Sequence, residues 1–203
     1  MKEKTMKAPD QTSSKRLHWL TNKLNFTVPA LALALLASAS PTRADDDTYL
    51  RRRPPELPSP LCDEVNAPDG QRVSAHVYAL GVQIYRWSGT NWVFVAPEAR
   101  LFADPCYAWE VGIHYAGPTW EATDGSKVVA ARINGCTPER GAIPWLLLGA
   151  TSTSDYGRFG RTTHIQRVNT IGGTAPAEAG AFVGDEARVP YTTEYYFYRA
   201  PRN

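Results

Sequence analysis

Three histidines beyond residue 70 are the first candidates for chemistry. His76, His114 and His164 fall in three separate segments that we predict to be strands. In a β-barrel or β-sandwich they could converge on one metal ion, with Glu121 or Asp124 as a fourth ligand. No HxH or HxxxH spacing supports such a centre, so we predict no metal site and no cofactor.

Paired carboxylates are the second chemical option. Several acidic residues lie near aromatic ones, as the acid and nucleophile of a glycoside hydrolase do. They are Glu98, Glu110, Glu121, Asp124 and Glu194. No GxSxG motif indicates a serine nucleophile. A hydrolase that uses Glu121 with His114 or a second carboxylate is therefore our alternative function.

Aromatic residues favour ligand binding over catalysis. The stretch 113–129 holds our candidate ligand surface of His114, Tyr115, Trp120 and Glu121. Trp120 could stack on a ring, and His114 and Glu121 could form hydrogen bonds. The mouth of a barrel is a natural pocket for such groups. We predict a small or carbohydrate-like ligand and leave the oligomeric state open.

The alternation Glu194-Tyr195-Tyr196-Phe197-Tyr198 supports a third function. Because side chains of a strand alternate between faces, one aromatic row is exposed unless both faces are covered. An exposed row would mark a partner interface. The protein would then be a structural envelope or stress protein.

The first 44 residues resemble a signal peptide. A basic segment precedes the apolar run 28–39, which is too short to span a bilayer. We predict cleavage after Ala44, with Ala39 as the alternative, and a secreted or periplasmic protein that has no stable membrane span. The remaining chain has 15 basic and 18 acidic residues, a net charge of −3, which argues against nucleic-acid binding.

Residues 45–70 are rich in proline, which favours an extended arm or linker. Residues 71–200 alternate short apolar runs with turn signals and are predicted to form one all-β domain. We expect an antiparallel sandwich or barrel of about 7–10 short strands.

Cys62, Cys106 and Cys136 allow three pairings, and the sequence pattern does not choose among them.

Asp124-Gly125 predicts a two-residue hairpin turn. That turn would pair Thr123 with Ser126 and Trp120 with Val129. Trp120 and Glu121 would then face opposite sides of the sheet. A bend at Gly117-Pro118 is needed if His114 and Glu121 are to share a pocket.

The chain resembles the secreted bacterial and fungal proteins of domain of unknown function family 3455. The motifs that carry the resemblance are GVQIYRW (81–87), FVAPEARLF (94–102), HYAGPTWE (114–121), DGSKV (124–128), IPWLLL (143–148), IQRVNTIGG (165–173) and VPYTTEYYFY (189–198). Similar proteins tend to carry cysteines at the positions of Cys62 and Cys136. The resemblance therefore implies a disulfide between Cys62 and Cys136.

Overall fold

The computed structural model describes residues 53–201. The predicted signal peptide and positions 45–52 of the predicted arm lie outside these residues. The described residues include no helix that is long and apolar enough to cross a membrane.

The described chain folds as a closed antiparallel β-barrel. Its strands are β1 (Arg72–Trp87), β2 (Trp92–Phe102), β3 (Glu110–Tyr115), β4 (Thr119–Ala122), β5 (Lys127–Cys136), β6 (Trp145–Thr153), β7 (His164–Gly172) and β8 (Glu186–Arg199). Each strand pairs with its neighbours in sequence, and β8 pairs back onto β1. The prediction of an all-β antiparallel fold is confirmed, and the barrel replaces the sandwich alternative.

The first two strands are longer than the sequence pattern suggests. We expected a break after Ala79, but β1 continues through Gly81. A Cβ at Gly81 would lie 2.2 Å from the Glu98 carbonyl oxygen on β2. The glycine therefore permits a close approach of two strands and does not form a turn.

The barrel interior combines small residues on β1 with large ones elsewhere. Ala75, Val77 and Ala79 face inward and share one buried cluster with the rings of Trp120 and Phe197. Such alternation of small and large side chains fills a narrow barrel. This packing closes the end of the barrel at which β1 begins.

A loop plugs that closed end of the barrel. Phe159, from the segment between β6 and β7, stacks on Phe197 at a centroid distance of 4.2 Å. Its backbone N–H donates to the Ser126 hydroxyl at 3.0 Å, and the Arg158 N–H donates to Asp124 at 2.8 Å. The hairpin between β4 and β5 thus holds the plug in place.

The hairpin register differs from the prediction by one residue. Trp120 pairs with Val128, whereas we expected Val129. Thr123 joins Asp124 and Gly125 in a three-residue loop, in which the Gly125 N–H donates to the Ala122 carbonyl at 2.9 Å. Gly125 has a φ of 79°, as a type I turn followed by a bulge requires.

The segment before β1 packs on the outside of the barrel. A short 3-10 turn (Asp63–Val65) lies against β5 and β6. The residues beneath the segment form what we call the outer cluster. Its buried members are Cys62, Val65, Val73, Cys136, Trp145, Leu147, Val168, Tyr196 and Tyr198.

The outer cluster contains the expected disulfide between Cys62 and Cys136. Cys106 is free and exposed. Because Tyr196 and Tyr198 lie under the arm, both aromatic rows of β8 are covered. The exposed row that a partner interface requires is absent from the described chain.

Removal of the disulfide should destabilise the fold. The disulfide joins two residues that are 74 positions apart in the sequence. The double variant Cys62→Ser/Cys136→Ser should therefore lose about 4 kcal/mol of unfolding free energy. Urea denaturation followed by near-ultraviolet circular dichroism would measure this. Cys106→Ser is the matched control and should match the wild type. A double variant as stable as that control would contradict the prediction.

Candidate functional site

A cavity of about 390 Å³ lies at the other end of the barrel. The loops at this end are 88–91, 116–118, 137–144 and 173–185. The lining residues come from all eight strands and from two of these loops. They are Gln83, Tyr85, Phe94, Pro97, His114, Pro118, Trp120, Arg132, Ile143, Pro144, Leu146, Leu148, Arg167 and Tyr195.

The β1–β2 hairpin forms one wall of the cavity. Tyr85 and Phe94 are paired across it, and their rings meet edge to face at 5.8 Å. The Tyr85 hydroxyl donates to the Gly173 carbonyl at 2.6 Å, which ties this wall to the loop after β7. Phe94 is 50% exposed, so the cavity reaches the surface here.

His114 and Trp120 form the floor of the cavity. They face each other across β3 and β4, and their rings stack at 4.1 Å. His114 Nδ1–H donates to the Thr119 carbonyl at 2.8 Å, which leaves Nε2 as an acceptor. Burial lowers the pKa of His114 to about 3, so this imidazole is neutral at physiological pH.

Arg167 places a positive charge inside the barrel. Its Nε and Nη2 donate to the Pro144 carbonyl at 3.1 and 2.8 Å. The guanidinium is half-buried and forms no salt bridge within residues 53–201. Burial raises the pKa of Tyr195, while the charge of Arg167 opposes that rise.

Several buried polar atoms around the cavity have no hydrogen-bond partner in the described chain. They are Gln83 Nε2, Trp120 Nε1, Tyr191 Oη and Tyr195 Oη. The two tyrosine hydroxyls are close enough to raise the pKa of Tyr191, after the larger effect of burial, but they do not reach hydrogen-bond geometry. Buried polar groups are normally paired, so four such atoms around one cavity mark it as a candidate site for a ligand that offers hydrogen bonds.

The candidate ligand surface divides between the two faces of the sheet. His114 and Trp120 point into the barrel, whereas Tyr115 and Glu121 lie outside. The Tyr115 hydroxyl donates to Glu121 at 2.7 Å, and Lys127 lies 2.9 Å from the same carboxylate. Hydrogen bonds from Lys127 and then Tyr115 lower the pKa of Glu121. The turn at Gly117-Pro118 does not bring Glu121 to His114.

The three histidines are dispersed. His76 lies on the outer surface, where Nε2 is 2.6 Å from Glu194 and its ring stacks on Tyr196. His164 begins β7, at the plugged end of the barrel. Within residues 53–201 no three His, Cys, Asp or Glu side chains cluster as metal ligands do.

Sequence reasoning missed the polar half of the cavity, namely Gln83, Arg132, Arg167 and Tyr195. No local signal marked Arg167, because the apolar residues Ile165 and Val168 lie on opposite faces of β7. Arg167 follows Ile165 by two residues, so the two share a face of the strand. Since Ile165 is fully buried in the interior, Arg167 must also point inward.

The buried His114 should make stability depend on pH. An unfolded chain protonates this histidine near pH 6.5, whereas the folded chain does so only near pH 3. The free energy of unfolding should therefore fall as the pH drops through this window, by about 2 kcal/mol between pH 7 and pH 5. Urea titrations at several pH values would measure the slope.

The variant His114→Gln should reduce the dependence of the unfolding free energy on pH, even though it lowers stability at every pH. His164→Gln is the comparison, because that imidazole is less buried and should contribute less. An unchanged slope in His114→Gln would contradict the assignment.

Comparison with known proteins identifies the family of the chain. The family model described as protein of unknown function (DUF3455) matches residues 68–199. No curated protein matches the chain, and no solved structure matches it. The matched region spans every strand of the barrel and most of the chain. The chain therefore belongs to the DUF3455 family of proteins of unknown function.

Proposed function

We propose that this protein binds a small amphipathic molecule in the cavity at the loop end of its barrel. The cavity itself carries the proposal. Its volume of about 390 Å³ and its apolar walls with a few polar groups are typical of ligand sites. An eight-stranded barrel is wide enough to hold one small ligand.

The shape of the floor favours an apolar ligand body over a sugar ring. Sugar rings bind to open aromatic faces, but Trp120 is only 1% exposed and His114 covers one face of its ring. The side chains available for contact are Phe94, Leu146 and Ile143. They suit the packing of a hydrocarbon or aromatic skeleton.

Hydrolysis is less well supported than binding. The proposed pair of Glu121 and His114 is divided between the two faces of the sheet, so both cannot contact one substrate atom. The residues that line the cavity include no Asp or Glu. A carboxylate pair of the glycosidase type therefore has no place in this cavity.

The structural-protein alternative also loses its main support. It required an exposed aromatic row on β8, and the outer cluster covers that row. The disulfide is compatible with an extracellular or periplasmic protein. We accordingly propose that binding takes place in one of these compartments.

A neutral aromatic probe tests the binding proposal. 2-Naphthamide, titrated by isothermal calorimetry, should bind with one site per chain and quench the fluorescence of Trp120. The variant Leu146→Trp places a larger ring in the cavity and should weaken binding about tenfold or more.

The control for this test is Val93→Trp. Val93 lies on the outer face of β2 and is 49% exposed, so the same ring is added outside the cavity. This variant should bind as the wild type does. Equal binding by Leu146→Trp and the wild type would refute the proposed site.

A further inference from the structure

We propose that the cavity selects ligands that carry a carboxylate, which the guanidinium of Arg167 binds with help from Arg132. This inference rests on the proposed function and specifies the ligand class. It draws on three features of the cavity: its uncompensated positive charge, its unpaired donors and its apolar remainder.

The charge of the cavity is one-sided. Arg167 and Arg132 both line it, and no Asp or Glu does. The nearby carboxylates of β2 and β4 point outward and have cationic partners there. Glu98 pairs with Arg188 at 2.8 Å, and Glu121 pairs with Lys127 at 2.9 Å. A half-buried cation without a counter-charge is costly, and a bound anion would offset this cost.

The Pro144 carbonyl orients Arg167. It accepts hydrogen bonds from Nε and Nη2, so two of the five guanidinium N–H groups are used. Nη1 makes no hydrogen bond to the carbonyl, and the guanidinium plane is fixed. A planar carboxylate can accept two parallel hydrogen bonds from such a fork.

Three neutral donors beside the cavity favour a ligand group that accepts hydrogen bonds. Gln83, Trp120 and Tyr195 line the cavity, and their buried Nε2, Nε1 and hydroxyl groups have no partner in the described chain. All three can donate, whereas an indole N–H and an amide N–H cannot accept. They favour an acceptor, and the two arginines favour one that carries negative charge.

The rest of the wall limits the size and polarity of the ligand. Phe94, Ile143, Leu146 and Leu148 form the apolar part. This leaves room for one hydrocarbon chain or flat ring system attached to one anionic group. An amphipathic monocarboxylate meets both requirements.

Matched acid and amide pairs test this inference. 2-Naphthoate is compared with 2-naphthamide, and decanoate with decanamide, by calorimetry at pH 7. Each pair has the same shape and differs in charge. The carboxylate should bind about 10- to 100-fold more tightly than its amide, as expected for hydrogen bonds to a charged group.

Charge removal identifies the responsible residues. Arg167→Gln should abolish the preference, and Arg132→Gln should reduce it. Arg188→Gln is the control, because it removes the same charge at the same end of the barrel but on the outer face. Circular dichroism checks the fold of Arg167→Gln, which loses the contact to Pro144. Arg132 is exposed and makes no such contact, so its variant remains informative if Arg167→Gln unfolds.

The outcomes separate the two proposals. Equal binding of acid and amide, or a preference that survives both Arg167→Gln and Arg132→Gln, overturns the carboxylate inference and leaves the binding site standing. Failure of both pairs to bind refutes the proposed function itself.

Discussion

Closure of the sheet between β1 and β8 is the constraint on which the rest of the structure depends. The two strands pair from Arg72 with Arg199 to Arg86 with Glu186, so the described barrel has no open edge between them. In a closed barrel each strand residue points either to the interior or to the outside. A shift of one residue along a strand therefore decides whether a side chain can reach a ligand. Trp120 and Glu121 are adjacent in sequence, yet only Trp120 contacts the cavity.

The interior is packed at one end and incompletely filled at the other. Ala75, Val77 and Ala79 of β1 leave room for the rings of Phe197 and Phe159 at the plugged end, and dense packing stabilises that end. Towards the loops, Gln83 and Arg167 take inward positions that apolar residues could occupy. Each buried polar group without a partner costs about 1–3 kcal/mol. The outer cluster and its disulfide contribute stability from the opposite face of the sheet and can offset that cost.

The sequence predicted local structure well and long-range placement poorly. Alternating apolar residues and turn signals indicated the strands, and Asp124-Gly125 located a hairpin. The predicted register of this hairpin is wrong by one residue, because Thr123 belongs to the loop. A two-residue turn and a three-residue turn can both contain Asp-Gly, so the dipeptide does not distinguish them. The interior position of Arg167 depends on which face of β7 turns inward. That face is decided by pairing with β8 and by barrel closure, which no local pattern encodes. The sequence also does not show which aromatic face of β8 is exposed, because one face is covered by the segment before β1, which is distant in sequence.

The outer cluster also anchors one of the loops that line the cavity. Cys136 ends β5 and Trp145 begins β6, and the two residues are paired across the sheet. Both are buried in the outer cluster, so the arm holds the two ends of the loop 137–144. That loop presents the Pro144 carbonyl, which orients the guanidinium of Arg167. A contact on the outside of the barrel thus fixes a cation on the inside. The disulfide thus anchors the β5 end of the loop that carries the Pro144 carbonyl.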